Sequence, residues 1–225
     1  MLDVTGGGSK ELLLVGEKAV IGWAIDEARE CDPSQIIVIS SPDKPDMNAY
    51  LGGHGGVEVQ MQYIQDGLAP AIALAGHHEA AIIILPDTLY YPKPPSARIA
   101  RALAEGYDIV LLTEIVSGEQ VNKYGIVESD ANGRIDRILE KPSPLATKSR
   151  QAVAGRYGLS ARMMEFLSQT IESIQDEPGE VGISPILNLA IRNDFEAIAL
   201  LTTADEVRYD CGNPEGYQLA LGAVV

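Results

Sequence analysis

The 225-residue chain reads as an α/β domain, with a mainly parallel mixed sheet flanked by helices. The run Ala80-Ala81-Ile82-Ile83-Ile84-Leu85 is continuously apolar, the pattern of a parallel strand covered on both faces, and it stops abruptly at Pro86-Asp87. Strand-like runs alternate with helical patterns of about 10 to 15 residues, the spacing of βαβ units. The 46% hydrophobic content and mean hydropathy of +0.03 allow a substantial core and exclude a disordered chain.

Each element has a local reason. From Ala19 to Glu30, Val20, Ile21, Ala24, Ile25 and Ala28 form an apolar stripe, and Asp26, Glu27 and Glu30 are expected outside it. Gln35 to Ile39 reads as a strand, Asn48 to Gly56 as a Gly-rich loop, and Val57 to Gln62 as a second, alternating strand. Gly67 to His77 is Ala-rich and helical. The strand before Asp87 follows, then a Pro-rich connection from Pro92 to Pro95, a helix from Ser96 to Glu105 and an apolar strand from Asp108 to Leu112.

After Thr113 an antiparallel excursion is expected at about 120–140. Ile126 to Glu128 and Ile135 to Leu139 flank Asp130-Ala131-Asn132-Gly133, a hairpin turn signal. A strand from Ala152 to Tyr157, helices from Ala161 to Ile174 and Pro185 to Arg192, a strand from Glu196 to Leu201 and a helix from Pro214 to Leu221 complete the chain. The length fits one large domain or a domain with a small appendage, and 1–225 is read as a single domain.

A net charge of -15 and a pI near 4.5 argue against a nucleic-acid binder, whose affinity needs a basic surface. Phosphates can still be held by a few placed Lys or Arg residues, backbone amides or a divalent cation. The two cysteines, Cys31 and Cys211, show no zinc or CxxC spacing, so a reduced cytoplasmic setting is expected. No apolar run approaches the roughly 18 residues of a membrane span.

Ligands of open α/β sheets bind at the carboxyl edge, which makes Asp87 a candidate metal ligand, with a solvated loop aspartate as the alternative. Leu139-Glu140-Lys141-Pro142 ends a strand with an acid and a base, able to hold a sugar hydroxyl and a phosphate, though such pairs are usually solvated strand ends. Asp210-Cys211-Gly212-Asn213 places an acid before a Gly turn and a helix. Gln62 followed by Gly67-Leu68-Ala69 could read a base edge while the glycine admits the base to the backbone. Blander readings suit other residues. His77-His78 with Glu79 fits a solvated turn, His54 stands among glycines without a partner, and Lys44 and Lys93 fit surface charges. Met163, Met164 and Phe166 follow core spacing, and Trp23 fits a buried position or a subunit contact.

In order and spacing together, these segments resemble the sugar-1-phosphate nucleotidylyltransferases, above all the bacterial UTP:glucose-1-phosphate uridylyltransferases. The matching pieces are Lys10-Glu11-Leu12-Leu13 with Val15-Gly16-Glu17-Lys18, Gln62 with Gly67-Leu68-Ala69, and Ile84-Leu85-Pro86-Asp87. They continue with Lys123-Tyr124-Gly125-Ile126-Val127, Leu139-Glu140-Lys141-Pro142, Ala154-Gly155-Arg156-Tyr157 with Leu159-Ser160, and Asp210-Cys211-Gly212-Asn213 with Tyr217. The likeness runs from about Leu2 to the carboxyl end.

That resemblance implies a Rossmann-like fold of the nucleotide-diphospho-sugar transferase type, with its nucleotide part at about 1–113 and its sugar part at about 114–225. It implies that Gln62 and Gly67 contact the pyrimidine of UTP or dTTP, and that Asp87 and Asp210 hold Mg²⁺ against the phosphates. Lys10 would meet phosphate oxygens, Tyr124, Gly125, Glu140 and Gly155 would line the sugar pocket, and Lys141 would bind the phosphate of a sugar-1-phosphate. The implied reaction is attack of a sugar-1-phosphate oxygen on the α-phosphorus, giving a nucleotide sugar and pyrophosphate. Such a reaction brings together two highly charged anions, so cations must cancel their repulsion. Homo-oligomers are common in the family, and no residue here fixes a symmetry.

Two departures matter. The family opens with a strand and an Arg-containing, Gly-rich loop ahead of the Lys10 segment, whereas here Gly6-Gly7-Gly8 stands where that loop finishes. A start placed too late, a catalytically silent sugar-nucleotide-binding homologue and a rearranged fold all fit, and the smooth match from Lys10 to Ile21 favours the first. In the second, Gly179-Glu180-Val181-Gly182-Ile183-Ser184-Pro185 lacks the family's polar residue near Gly182 and acid near Pro185, which points to a changed sugar.

Overall fold

The computed structural model describes residues 8–76, 79–174 and 179–224. The chain divides into two compact units, one formed by Met1–Gln65, Ile84–Ala97 and Thr203–Val225 and the other by Asp66–Ile83 and Arg98–Thr202. The α/β class with a mixed sheet and flanking helices stands.

Unit 1 is built on paired short strands: β1 (Leu14–Val15) with β2 (Lys18–Ala19), and β3 (Ile37–Ser40) parallel to β4 (Glu58–Met61). Helix α1 (Val20–Arg29) buries two faces. Ile21 and Ile25 pack with Met47 and Leu51 of α2 (Pro45–Gly52), while Val20 joins Val15, Leu89, Cys211 and Ala220. Glu27 departs from expectation. It is buried on this helix and accepts a hydrogen bond from the hydroxyl of buried Ser96, which satisfies its carboxylate inside the unit.

Helix α2 corrects the loop expected from Asn48 onward. Met47 and Leu51, four residues apart, supply an apolar stripe, and Pro45 suits a first helical turn, so tertiary burial overrides the glycines at its end. Lys44, expected as a surface charge, donates to Glu11, whose side chain is 6% exposed, at 2.7 Å. The ring of His54, expected to lack a partner, lies 3.1 Å from the Tyr50 carbonyl and packs at a tilt against the Tyr50 ring.

Unit 2 holds the larger sheet. β7 (Ile109–Ile115), β8 (Gly125–Ser129), β9 (Ile135–Glu140), β10 (Gln151–Leu159) and β11 (Ala197–Leu201) run in the order β11-β7-β10-β8-β9, and β5 (Ala81–Ile84) also pairs with β10. Only β11 lies parallel to β7, whereas β10 is antiparallel to β7 and to β8. Five consecutive residues of β7, Ile109 to Thr113, are buried, as a central strand requires. β5 is half-buried throughout, short of the sealing its apolar run suggests, and among the described residues its one partner is β10. Helices α3 (Leu68–Leu74), α5 (Ala161–Ser173) and α6 (Ile183–Arg192) belong here, with α4 (Ser96–Ala104) from Arg98 onward. Met163 and Met164 are buried core as expected, and Phe166 packs on Phe195.

The expected hairpin is present. β8 and β9 pair antiparallel, the Asp130 carboxylate accepts the Asn132 and Arg134 amides, and Gly133 takes φ +86° at the turn.

Candidate functional site

In unit 1 two short strands decide where the acids meet. β6 (Thr88–Pro92) and β12 (Glu206–Asp210), neither of them foreseen, pair antiparallel with Asp210 opposite Thr88. The Cys211 amide donates to the Asp87 carbonyl at 2.8 Å, so Asp87 and Asp210 are neighbours by register. Beyond Asp210 the Asn213 side chain caps α7 (Pro214–Ala223) through the Gly216 amide, and Pro214 opens the helix.

Gly212 reports what lies between the acids. A Cβ there would stand 3.1 Å from Asp210 Oδ1, 3.2 Å from Asp87 Oδ2 and 3.5 Å from Lys10 Nζ. Two carboxylates and an ammonium thus face one small space that only a glycine leaves open. Lys10 Nζ donates to Asp87 Oδ2 at 3.2 Å, and the Gly212 amide donates to Asp210 Oδ1 at 3.0 Å. With side chains 46% and 35% exposed, the Lys10–Asp87 pair contributes little to stability.

The 3₁₀ turn Lys10–Leu12 that carries the lysine is clasped on both sides. Ser9 gives its amide and hydroxyl to Asp46, and Glu11 is paired with Lys44. The two bonds from Ser9 lead the effects that bring the Asp46 carboxyl down to about 2. Burial, reinforced by Asp210 and then Asp87, pushes the Cys211 thiol up to about 11, so this cysteine is a core residue rather than a thiolate. Gln62 extends β4, its amide bonded to the Ser40 carbonyl. Gly6 and Gly7 lie outside the described residues, as do His77 and His78, and Gly8 is exposed.

In unit 2 the hairpin gathers the sugar-side candidates. Gly125 pairs with Glu140, and a Cβ on Gly125 would lie 3.4 Å from Glu140 Oε2 and 3.6 Å from a Val153 methyl. The Lys141 amide donates to the Tyr124 carbonyl, and Lys141 itself adopts φ +42°. Alternation therefore ends at Glu140, and Lys141 leaves the strand in a conformation costly for a side-chain-bearing residue, a feature that clusters at functional sites. Gly155 sits at φ +76° in the register shift between Val153 and Tyr157 of β10.

Gly67, also in unit 2, is required for a reason the sequence did not disclose. At φ +116° its Cβ would stand 2.5 Å from the Val181 carbonyl oxygen. Around it the Val181 amide donates to the Asp66 carbonyl at 2.6 Å, and the Ala69 amide donates to the Val181 carbonyl.

Three more residues escaped sequence reasoning. Arg208, whose side chain is 13% exposed, brings Nη1 to 4.0 Å from Asp210 Oδ2. The alternation Glu206-x-Arg208-x-Asp210, three charges on one strand face, was its signal. Ser184 donates to Glu140 Oε2 at 2.9 Å, and Asn188 accepts from the Ile138 amide and donates to its carbonyl. Their signal was polar spacing of four on a helix that is otherwise apolar up to Arg192.

No group of three or more His, Cys, Asp or Glu gathers among the described residues. A cation at the acid pair would therefore be completed by water and substrate oxygens, as Mg²⁺ commonly is, and the open space at Gly212 fits that donor set.

The chain is an α/β protein with a carboxylate pair beside a lysine in one unit, and with an acid and a base at a strand end in the other. The chain belongs to the nucleotidyl transferase family, whose match covers residues 1–220. It is similar to the UTP--glucose-1-phosphate uridylyltransferase of Pseudomonas aeruginosa, at 25% identity over 96% of this chain and 88% of that one. The glucose-1-phosphate thymidylyltransferase of Neisseria meningitidis is 26% identical over 89% of this chain and 70% of its own length. A solved UDP-glucose pyrophosphorylase complexed with UDP-glucose superposes with a TM-score of 0.81 at 25% identity, over 95% of this chain and 89% of that chain. No helix among the described residues is long and apolar enough to cross a membrane.

Proposed function

We propose that the chain transfers a uridylyl or thymidylyl group from UTP or dTTP to a sugar-1-phosphate, with glucose-1-phosphate as the acceptor. An oxygen of the sugar phosphate forms a bond to the α-phosphorus while the bond from that phosphorus to the bridging oxygen of the β-phosphate breaks. Pyrophosphate leaves with the electron pair, and no protein nucleophile is needed. The observation that carries this reading is the convergence of Asp87, Asp210 and Lys10 on the space at Gly212.

In this reading Asp87 and Asp210 hold Mg²⁺, which when bound supplies positive charge against the phosphate oxygens. Lys10 binds phosphate oxygens of the nucleotide, and Lys141 binds the phosphate of the sugar. Glu140 accepts hydrogen bonds from sugar hydroxyls, with Tyr124, Gly125 and Gly155 lining that pocket. Gln62 and the Gly67 backbone read the pyrimidine. The assignment places the nucleotide side at about 1–113 and the sugar side at about 114–225 of one domain. Both nucleotides are retained because the relatives named above include a uridylyltransferase and a thymidylyltransferase. Cytoplasmic action is part of the proposal, in keeping with two free cysteines, and so is a homo-oligomer, to be read by light scattering.

The test is pyrophosphate release from UTP, and separately from dTTP, with glucose-1-phosphate and Mg²⁺. Release that needs both substrates and Mg²⁺ supports transfer. Binding of UDP-glucose with no release from either nucleotide overturns it in favour of a silent sugar-nucleotide binder.

A further inference from the structure

Ser184 is 8% exposed, in the first turn of α6 among Ile183, Ile186 and Leu187, which are buried. A hydroxyl in so apolar a turn needs a partner, and its partner is Glu140 Oε2 at 2.9 Å. Among the described residues Glu140 Oε1 has no protein partner, and Glu140 as a whole is exposed. Resting on the function proposed above, we infer that Ser184 is a positioning residue for sugar recognition. It pins one oxygen of Glu140, so that the other meets the sugar as a single acceptor in a fixed direction.

The surroundings hold Ser184 in place from two sides. One turn further along α6, Asn188 bonds both backbone groups of Ile138, two residues before Glu140, so the helix cannot slide along β9. Four residues before Asn188 and three after Val181, the serine is also tied through that valine to Asp66 and Ala69, which flank Gly67. Gly125 opposite Glu140 leaves room for the carboxylate to lean toward the helix. A serine suits the task chemically because it donates a hydrogen bond without cancelling the carboxylate charge. Pinning one oxygen should matter most for telling one hydroxyl configuration from another, since a freely rotating carboxylate can follow either epimer.

The experiment measures steady-state constants for both substrates with the full chain, using glucose-1-phosphate and its C4 epimer galactose-1-phosphate. Ser184→Ala is expected to raise KM for glucose-1-phosphate about tenfold, the size of one hydrogen bond to a charged group, and to narrow the preference between the epimers. KM for UTP should stay within about twofold, and Ser184→Thr should restore the wild-type values. In a Glu140→Ala background, which removes the acceptor, Ser184→Ala should have little further effect, because the two residues act through one bond. Should Ser184→Ala lower the melting temperature, Ser184→Cys, of similar size and a weak donor, is read instead. Equal changes in both KM values, or unchanged epimer preference, overturn the inference. A wild-type chain that releases no pyrophosphate overturns the parent function, a distinct result.

Discussion

The two units assemble their candidate groups by opposite routes. In unit 2, Tyr124, Gly125, Glu140 and Lys141 come from one hairpin, and Gly155 from the strand paired with it. In unit 1, Lys10, Asp87 and Asp210 come from three distant stretches joined by the register of β6 with β12 and by the Cys211 amide on Asp87. A hairpin carries its own register in its turn, whereas non-local strands acquire theirs only when the whole unit closes. Substitutions at the three converging groups of unit 1 should therefore strike the charge cluster itself, and those at the unit 2 hairpin should strike acceptor recognition.

The largest effect is expected at the acid pair. Asp87→Asn or Asp210→Asn should lower turnover about a thousandfold with the circular dichroism spectrum unchanged, as for loss of a group that stabilises transition-state charge. Near-normal turnover in both variants would remove unit 1 from the chemistry. Next, Lys141→Ala should reduce kcat/KM for the sugar phosphate about a hundredfold while KM for UTP hardly moves. A parallel loss for UTP would erase the functional contrast between the units.

Two glycines sharpen the comparison further. Gly67→Ala confronts a backbone oxygen at 2.5 Å with φ +116°, so calorimetry should show a melting temperature about 10 °C lower, or no folding. Gly212→Ala meets flexible side-chain ends instead, and should weaken Mg²⁺ dependence about tenfold with little change in melting. If the two glycines behaved alike, the distinction between a backbone constraint and a space kept for charge would fail.

The smallest effect is electrostatic. Hydrogen bonds from Ser9 hold the Asp46 carboxyl at about 2, below its ordinary 3.8. A depressed carboxylate contributes its stabilisation above 3.8 and loses it as pH falls through about 2. A carboxyl NMR titration of Asp46 should therefore have its midpoint near 2, and a midpoint at 3.8 would show that the clasp on the Lys10 turn is absent in solution.

Helix α1, the β8–β9 hairpin and the strand before Asp87 were legible because their signals are local: an apolar stripe, an Asp-Ala-Asn-Gly turn and an unbroken apolar run. α2 was hidden because Gly52, Gly53, Gly55 and Gly56 outweighed the Met47 and Leu51 spacing in a short window. β12 was hidden because Glu206, Arg208 and Asp210 put three charges on the face it turns inward, so its alternation looks like a loop. Glu27 was placed outside α1 because no local rule announces Ser96 as its buried partner.

By itself the sequence determined the α/β class and the identity of the charged groups, since periodicity and residue chemistry are properties of short windows. Tertiary structure alone decided that Asp87 and Asp210 are neighbours, that Gly212 stands open between them and Lys10, and that Ser184 reaches Glu140. Those facts depend on strand register and helix placement, which are fixed only when residues far apart in the chain bury their surfaces together.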